Sequence, residues 1–504
     1  SFADDISTRN VTLLSAGGTF DVGANDLTFA NAIGGAAGAS AGGLTKAGSG
    51  SLTLAATNTF LGSTTVANGK LVIAGGANNR LPSAAELFIG SGATGGVLQL
   101  GNAGGATDQT VSSLSGVTGV LAADITIVNP GAAYTTAPIV AFDAIGGLMG
   151  AQGAQAYATV VNGIITGLTF TDAGNYRPGF APIVTLSGGG GNSASIIVRA
   201  LGTVSSNAIV GGSSVISNLT VDQDIGTIYN GAIGGVGANQ NNLGLIKLGV
   251  GALTLSGSVL SYVGQTTVTG GRLSITGGQS APLQTSSVKV TTGAILNLNN
   301  TVGQTIDLGS GSLNLGAGTA GSASLGLDVG SLTTFDRIVT TGAATAANKV
   351  IVNLTGLPGL AAGTYDLFTA GSGLNGTSFS IGDLKTFGGF TFGLTQTDTA
   401  VTLTTTALPT NLYWRVGADV SWSSLNYANY DTNFSTDSAG TTNAKGFPGI
   451  ANKLIFSATP GAATTAYVTT LDGNFTVGSL QFTSTPTGIT SVTIAQGGPE
   501  LTTA

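Results

Sequence analysis

Residues 43–76, GLTKAGSGSLTLAATNTFLGSTTVANGKLVIAGG, return at 244–278 as GLIKLGVGALTLSGSVLSYVGQTTVTGGRLSITGG with one residue inserted. Leu44, Lys46, Gly48, Gly50, Leu52 and Leu54 meet Leu245, Lys247, Gly249, Gly251, Leu253 and Leu255, and the agreement runs on to Ile73 and Ile275. It also spreads outward: AIGG at 32–35 recurs at 232–235, and QTVSSLSG at 109–116 returns as QTIDLGSG at 304–311. A fold assembled by repetition is therefore required, and one repeat must be able to follow another along the chain.

Within each copy, short alternating runs such as Leu52-Thr53-Leu54, Lys70-Leu71-Val72-Ile73 and Val97-Leu98-Gln99-Leu100 are separated by Gly, Asn and Ser. Alternation at period two bounded by turn residues predicts β-strands, and no helical period competes with it. Sandwiches, barrels, propellers and solenoids are all built from many short strands. The units here vary in length and carry insertions, which a stacked coil tolerates better than a closed barrel, so the expectation is all-β and an elongated parallel β-helix, or β-solenoid, with an inserted small β module. Glycine supplies the φ > 0 corners of such coils, and Thr, Ser and Asn hydrogen-bond neighbouring backbone.

Composition narrows the chemistry. Charged residues are 7% of the chain and hydrophobic ones 42%, so a core can form and disorder does not explain the low charge. Neither histidine nor cysteine occurs. That removes imidazole proton shuttles, the Ser-His-Asp and Cys-His devices, thiolate nucleophiles and disulfides. With 22 acids against 15 bases and no basic run, nucleic acid is not an expected partner. Mean hydropathy is +0.38, but Gly, Ser, Thr and Asn interrupt every apolar run before it reaches spanning length, so no membrane span is expected. The segment SFADDISTRN has none of the charge and apolar pattern of a signal peptide, and the chain is read as mature or partial.

Four segments are expected: 1–116, a first β-helical unit; 117–219, the inserted module; 220–410, a second unit with following strands; and 411–504, an aromatic junction opening further strands. The insert is itself duplicated, because ITIVNPGAAYTTAPIVAF at 125–142 returns as LTFTDAGNYRPGFAPIVTL at 168–186, which gives Tyr134 and Tyr176 equivalent places. A contact surface and an inert decoration are equally good readings of it.

The twin segments resemble the autotransporter passenger-associated repeat, with its G-x-G-x-L-T-L, N-T-(Y/F)-x-G-x-T-T-V and G-x-L-x-(V/I)-x-G steps. Gly48–Leu54, Asn58–Val66 and Gly69–Gly75 follow that pattern, while the second copy replaces and lengthens the Asn-Thr-aromatic step at Ser258–Tyr262. The resemblance implies a right-handed parallel β-helix, secreted and displayed on or near a bacterial surface. The carboxyl-terminal part carries no series of lipid-facing strands of about ten residues such as a translocator barrel needs.

Candidate chemistry is sparse. With only two glutamates, Glu86 and Glu500, an acid pair is built mainly from aspartates such as Asp4 with Asp5 or Asp222 with Asp224; Asp222 and Asp224 share a strand face, and a solvated face explains them better than an acid–base pair. Asp431–Asp437 is the loop best suited to calcium, without EF-hand spacing, and an ordinary polar turn explains it more simply. Otherwise no cofactor is expected. Tyr134, Tyr176, Trp414, Trp422, Tyr427 and Tyr430 are candidates for a contact or carbohydrate platform, with burial at an irregular junction the stronger reading for the aromatics of 411–449. The expected function is non-enzymatic: an extracellular structural protein of a bacterial surface, associating with itself end to end or laterally into a filament or layer. Alternatives are a monomeric adhesin passenger and a β-helix that binds or cleaves surface glycans. Neither SFADDI nor GGPELTTA reads as a sealing cap, so the expectation is either that the natural chain continues or that the ends of neighbouring subunits complete each other by strand addition.

Overall fold

The computed structural model describes residues 9–35, 42–92, 94–143, 153–174, 176, 180–201, 207–257, 259–276, 283, 285–382, 388–415, 421–426, 429–456, 466–472, 474–483, 491–496 and 501–503. Among them there is no α-helix; strands dominate and most pairings are parallel. Backbone contacts divide the chain into two compact units, Ser1–Leu296 and Asn297–Ala504, a boundary that falls inside the expected 220–410 segment.

In the first unit the chain alternates between two parallel sheets. Leu27–Phe29, Ser51–Leu54, Gly69–Ile73 and Gly96–Leu100 pair in one, and Gly18–Asp21, Leu44–Ala47, Thr64–Val66, Glu86–Ile89 and Ser113–Gly116 in the other. Partners are 19 to 27 residues apart in sequence. Because register is kept, like residues form columns: Leu27, Leu52, Leu71 and Leu98 lie in line, and beside them Phe29, Leu54, Ile73 and Leu100. Most of these side chains are fully buried. Each such burial contributes about 1.5–3 kcal/mol, and a one-residue slip would turn a whole strand's apolar set outward. The second twin continues the style, with Leu219, Leu245, Thr266 and Val288 in one column and Tyr229, Leu255 and Ile275 in another.

The insert interrupts this order without breaking it. Gly96–Leu100 pairs on one side with Gly69–Ile73 and on the other with Ala208–Gly211, so the parallel sheet resumes where the insert ends. Asn207 closes the gap: its side-chain amide donates to the Val117 carbonyl at 3.4 Å and its oxygen accepts from Gly96 N at 3.2 Å. Between these points the strands are antiparallel. Ile164–Asp172, Gln155–Val161, Ile139–Phe142 and Val184–Ser187 form one sheet, and Ile125–Ala132 pairs with Asn192–Val198. The two halves of the internal duplication meet directly where Ile139–Phe142 pairs with Val184–Ser187.

The second unit begins in parallel style, with Ser322–Val329, Lys349–Gly356 and Ser378–Ile381 aligned so that Leu325, Val352 and Ile381 share a column. A neighbouring sheet then changes direction. Gly363–Thr369 pairs antiparallel with Ala400–Ala407, which forms a hairpin with Phe390–Gln396. The strands following the second repeat within 220–410 thus include antiparallel pairs: a short connection cannot return a strand parallel to its neighbour, and Thr397–Thr399 makes a tight reversal. Parallel pairing returns when Asn411–Trp414, Lys453–Phe456 and Ser479–Phe482 align.

Candidate functional site

The repeat motif places a lysine two residues after a core leucine. Alternation sends Leu44 and Lys46 to the same face, and both are buried, Lys46 with no exposed surface. Its column neighbours are Phe20 and Val66; those of Lys247 are Val221 and Val268. An ammonium in an apolar column requires partners. Lys46 Nζ donates to the carbonyls of Ala47 at 2.9 Å, Gly48 at 2.8 Å and Asn68 at 2.9 Å. Lys247 Nζ donates to Leu248 and, at 2.9 Å, to Gly249. These carbonyls face inward because the chain turns there through a left-handed glycine, Gly48 at φ +78° and Gly249 at φ +67°. The lysine thus fills the corner that its own motif creates.

Desolvation lowers the basicity of both ammonium groups. For Lys46 it is opposed by the nearby Asp21 carboxylate. Lys247 is pushed down to about 8, opposed by Asp222 and then Asp224. Those two acids are exposed, as a solvated face requires, but a cation that the linear sequence did not bring near them lies behind them. Arg80 repeats the device, donating to Ala74 O at 2.7 Å, Gly75 O at 2.8 Å and Ala55 O. Side-chain amides do the same elsewhere: Gln109 exchanges hydrogen bonds with both backbone groups of Leu81, at 2.9 and 3.0 Å.

The lengthened step of the second repeat keeps its aromatic. Phe60 and Tyr262, each two residues before the repeat's glycine, are both fully buried. Burial pushes the Tyr262 hydroxyl up to about 12, with a hydrogen bond to Thr266 opposing the shift.

The platform candidates do not come together on a surface. Tyr134 and Tyr176 sit in the insert's core with Val140, Phe142 and Ile196, and Tyr176 Oη accepts from Ala154 N at 2.6 Å. Tyr176 stacks on Phe180, with ring centroids 6.0 Å apart. Trp414 and Trp422 lie 5.9 Å apart in a cluster with Phe434, Phe456 and Phe475, and Trp422 Nε1 donates to Thr469 Oγ1 at 2.8 Å. Both tryptophans are buried, so neither ring has a face for a sugar. Tyr430 is half-buried and its hydroxyl accepts from Ile381 N at 3.3 Å; Tyr427 lies outside the described residues, as do Asp4 and Asp5. In the calcium candidate, Asp431 pairs with Lys445 at 2.7 Å, while Asp437 accepts from the Thr441 and Thr442 amides. The two carboxylates thus serve separate contacts, and hydrogen bonds lower both, Asp437 well below the usual carboxylate range.

A buried acid pair went unread in the sequence. Asp328 and Asp336 have no exposed surface. Asp336 Oδ1 accepts from Gln304 N at 2.9 Å and Oδ2 from Asp328 N at 2.7 Å; Asp328 Oδ2 accepts from Asn300 N at 2.8 Å and Thr301 N at 2.6 Å. Desolvation pushes the Asp336 carboxyl up to about 8, helped by the Asp328 charge and opposed by the amide hydrogen bonds, and it raises Asp328 as well. The backbone amides occupying these oxygens make the pair a staple for the 300–304 loop. Among the described residues no group of three or more carboxylates gathers.

Columned parallel strands and an internal cation at each repeat corner define a class, the all-β repeat proteins built from glycine-cornered strand pairs. A family model described as Passenger-associated-transport-repeat matches residues 44–73 and 245–275, so the twin segments are two copies of that repeat, which suggests a secreted, surface-displayed protein of the autotransporter passenger type. No curated protein and no solved structure matches the chain.

Proposed function

We propose that this protein is a passenger-type, right-handed β-helical structural component of a bacterial surface that associates with itself, without catalysing a reaction. The observation that carries the reading is the coincidence of both matched repeats with in-register parallel columns and the same lysine-filled corner. Parallel strands that alternate between sheets at 19 to 27 residues are what coils of a β-helix provide. A charged fraction of 7% keeps self-repulsion between copies weak, which supports lateral association. Electron microscopy of the purified chain over a concentration series tests the self-association: regular filaments or sheets growing with concentration are expected, and single particles at every concentration refute it.

The second reading, a monomeric passenger that binds surface glycans, is favoured by a groove on the first unit.

A further inference from the structure

A concavity of about 810 Å³ lies on the outer face of the sheet formed by Gly18–Asp21, Leu44–Ala47, Thr64–Val66 and Glu86–Ile89. Its size is that of a ligand site. Register places Thr19, Thr45 and Thr65 on three successive strands along its floor, about 4.8 Å apart, opposite in facing to buried Leu44 and Lys46. Glycines in the lining, Gly17 and Gly43 among them, let successive turns of the chain stack closely at its edge. A Cβ on Gly17 would come within 2.6 Å of the Gly43 carbonyl, and one on Gly43 within 2.6 Å of the Ser63 carbonyl.

The chemistry of the lining selects the occupant. Among the described residues, no hydrogen bond is made by the hydroxyls of Thr19, Thr45 or Thr65, so a row of donor–acceptor groups faces outward. Glu86 supplies the one charge in the lining, its Oε1 accepting from Ser113 Oγ at 3.3 Å, and no cation is present there. An anionic polymer therefore meets a carboxylate and nothing to offset it. Leu61, 57% exposed, gives one apolar wall. The floor is a sheet face and not an edge, so an extended peptide finds no backbone ladder to join. We infer that this groove binds a neutral, extended oligosaccharide, with the threonine ladder hydrogen-bonding its hydroxyls and Leu61 lying against a ring face. The inference uses the surface-displayed passenger reading only for the ligand's availability; it holds for a single copy as well as for an assembly.

The test uses the full chain and the double variant Thr45→Val/Thr65→Val, which keeps β-branched side chains of the same shape. Calorimetric titration with neutral tetrasaccharides (β-1,4-glucan, β-1,3-glucan and α-mannan) is run beside tetragalacturonate and an unstructured Ser/Thr-rich peptide. Binding of at least one neutral tetrasaccharide is expected, weakened about tenfold or more in the double variant through loss of two hydroxyl contacts, with an unchanged circular dichroism spectrum. No binding of any neutral sugar, binding that ignores the threonine substitutions, or preference for the acidic sugar or the peptide would overturn the inference. Filament formation in the microscope bears on none of these outcomes, so the two readings fail separately.

Discussion

Replacing Asp336 with asparagine should exchange a pH-dependent cost for a constant one. In the folded protein the Asp336 carboxyl is pushed up to about 8 from 3.8, so the unfolded chain releases this proton first. Below about pH 4 both states hold the proton and the site contributes its full stability. As pH rises through the window from 4 to 8 the unfolded state gains, by at most about 1.4 kcal/mol per pH unit and on the order of 5 kcal/mol in all. Asparagine cannot ionise, but it offers one oxygen where the carboxyl offers two. Either Gln304 N or Asp328 N then faces an amide NH₂, at a cost of about 1–3 kcal/mol at every pH. The wild type should therefore be the more stable near pH 4.5 and the Asp336→Asn variant the more stable near pH 8.5, with the curves crossing at about pH 5–6. Both tryptophans of the chain, Trp414 and Trp422, are in the unit that contains Asp336, so their fluorescence reports its unfolding without interference from the first unit. Urea midpoints read by tryptophan emission from pH 4.5 to 9 give the comparison. A smaller slope from Asp328, which burial raises in the same direction, should remain in the variant. Parallel midpoint curves for the two proteins would refute the reasoning.

Other perturbations test the repeat corner and the insert. Lys46→Ala removes three methylenes from the core and leaves the carbonyls of Ala47, Gly48 and Asn68 without their donor; a loss of about 3 kcal/mol or more is expected in chemical denaturation followed by circular dichroism, and a loss under about 1 kcal/mol contradicts the corner-filling role. Gly48→Ala should cost clearly more than Gly293→Ala. Both glycines are left-handed, at φ +78° and +80°, but a Cβ at 48 would lie 2.4 Å from Gly23 N whereas one at 293 meets nothing within 4 Å, so only the backbone term of about 1 kcal/mol applies there. Lys247 is pushed down to about 8, so its contribution should rise as pH climbs from 8 toward 10.5, a trend that Lys247→Met abolishes in melting curves taken across that range. A chain in which residues 119–205 are replaced by a short Gly-Ser link should keep cooperative unfolding of the remaining β structure, measured by circular dichroism; aggregation or loss of the transition would show that the parallel sheet depends on the insert.

What could be read from the sequence was what repeats or alternates. Leu52-Thr53-Leu54 and its counterpart Leu253-Thr254-Leu255 are strands with apolar residues inward, and the two halves of the insert contribute Ile139–Phe142 and Val184–Ser187, which pair with each other. Local period carries that information because one strand face is buried throughout. The pairing partner of a charged side chain is carried by register between strands far apart in sequence. Lys46 reaches Asn68 O across 22 residues, and Gln304 N reaches Asp336 across 32. The lysine was nonetheless signalled: it occupies an inward position two residues after Leu44 in one copy and Leu245 in the other, where a charge needs a reason. Tyr134 and Tyr176 stood open between contact surface and decoration, while burial was already the stronger reading for Trp414 and Trp422; packing puts all four rings inside. The antiparallel hairpin at Phe390–Gln396 and Ala400–Ala407 has the same alternation as a parallel strand, so direction was invisible until the short reversal was seen.

The meeting of Val117 and Asn207 gives the first unit a property of a different kind. Where the two ends of an excursion sit within one hydrogen bond of each other, the host sheet is indifferent to what is threaded between them, and length or sequence can change there with little loop-closure penalty to the host. The position is a socket. The same frame could carry unrelated modules in different chains, or an engineered peptide or domain with adjacent termini, and present each one at a fixed point on the sheet.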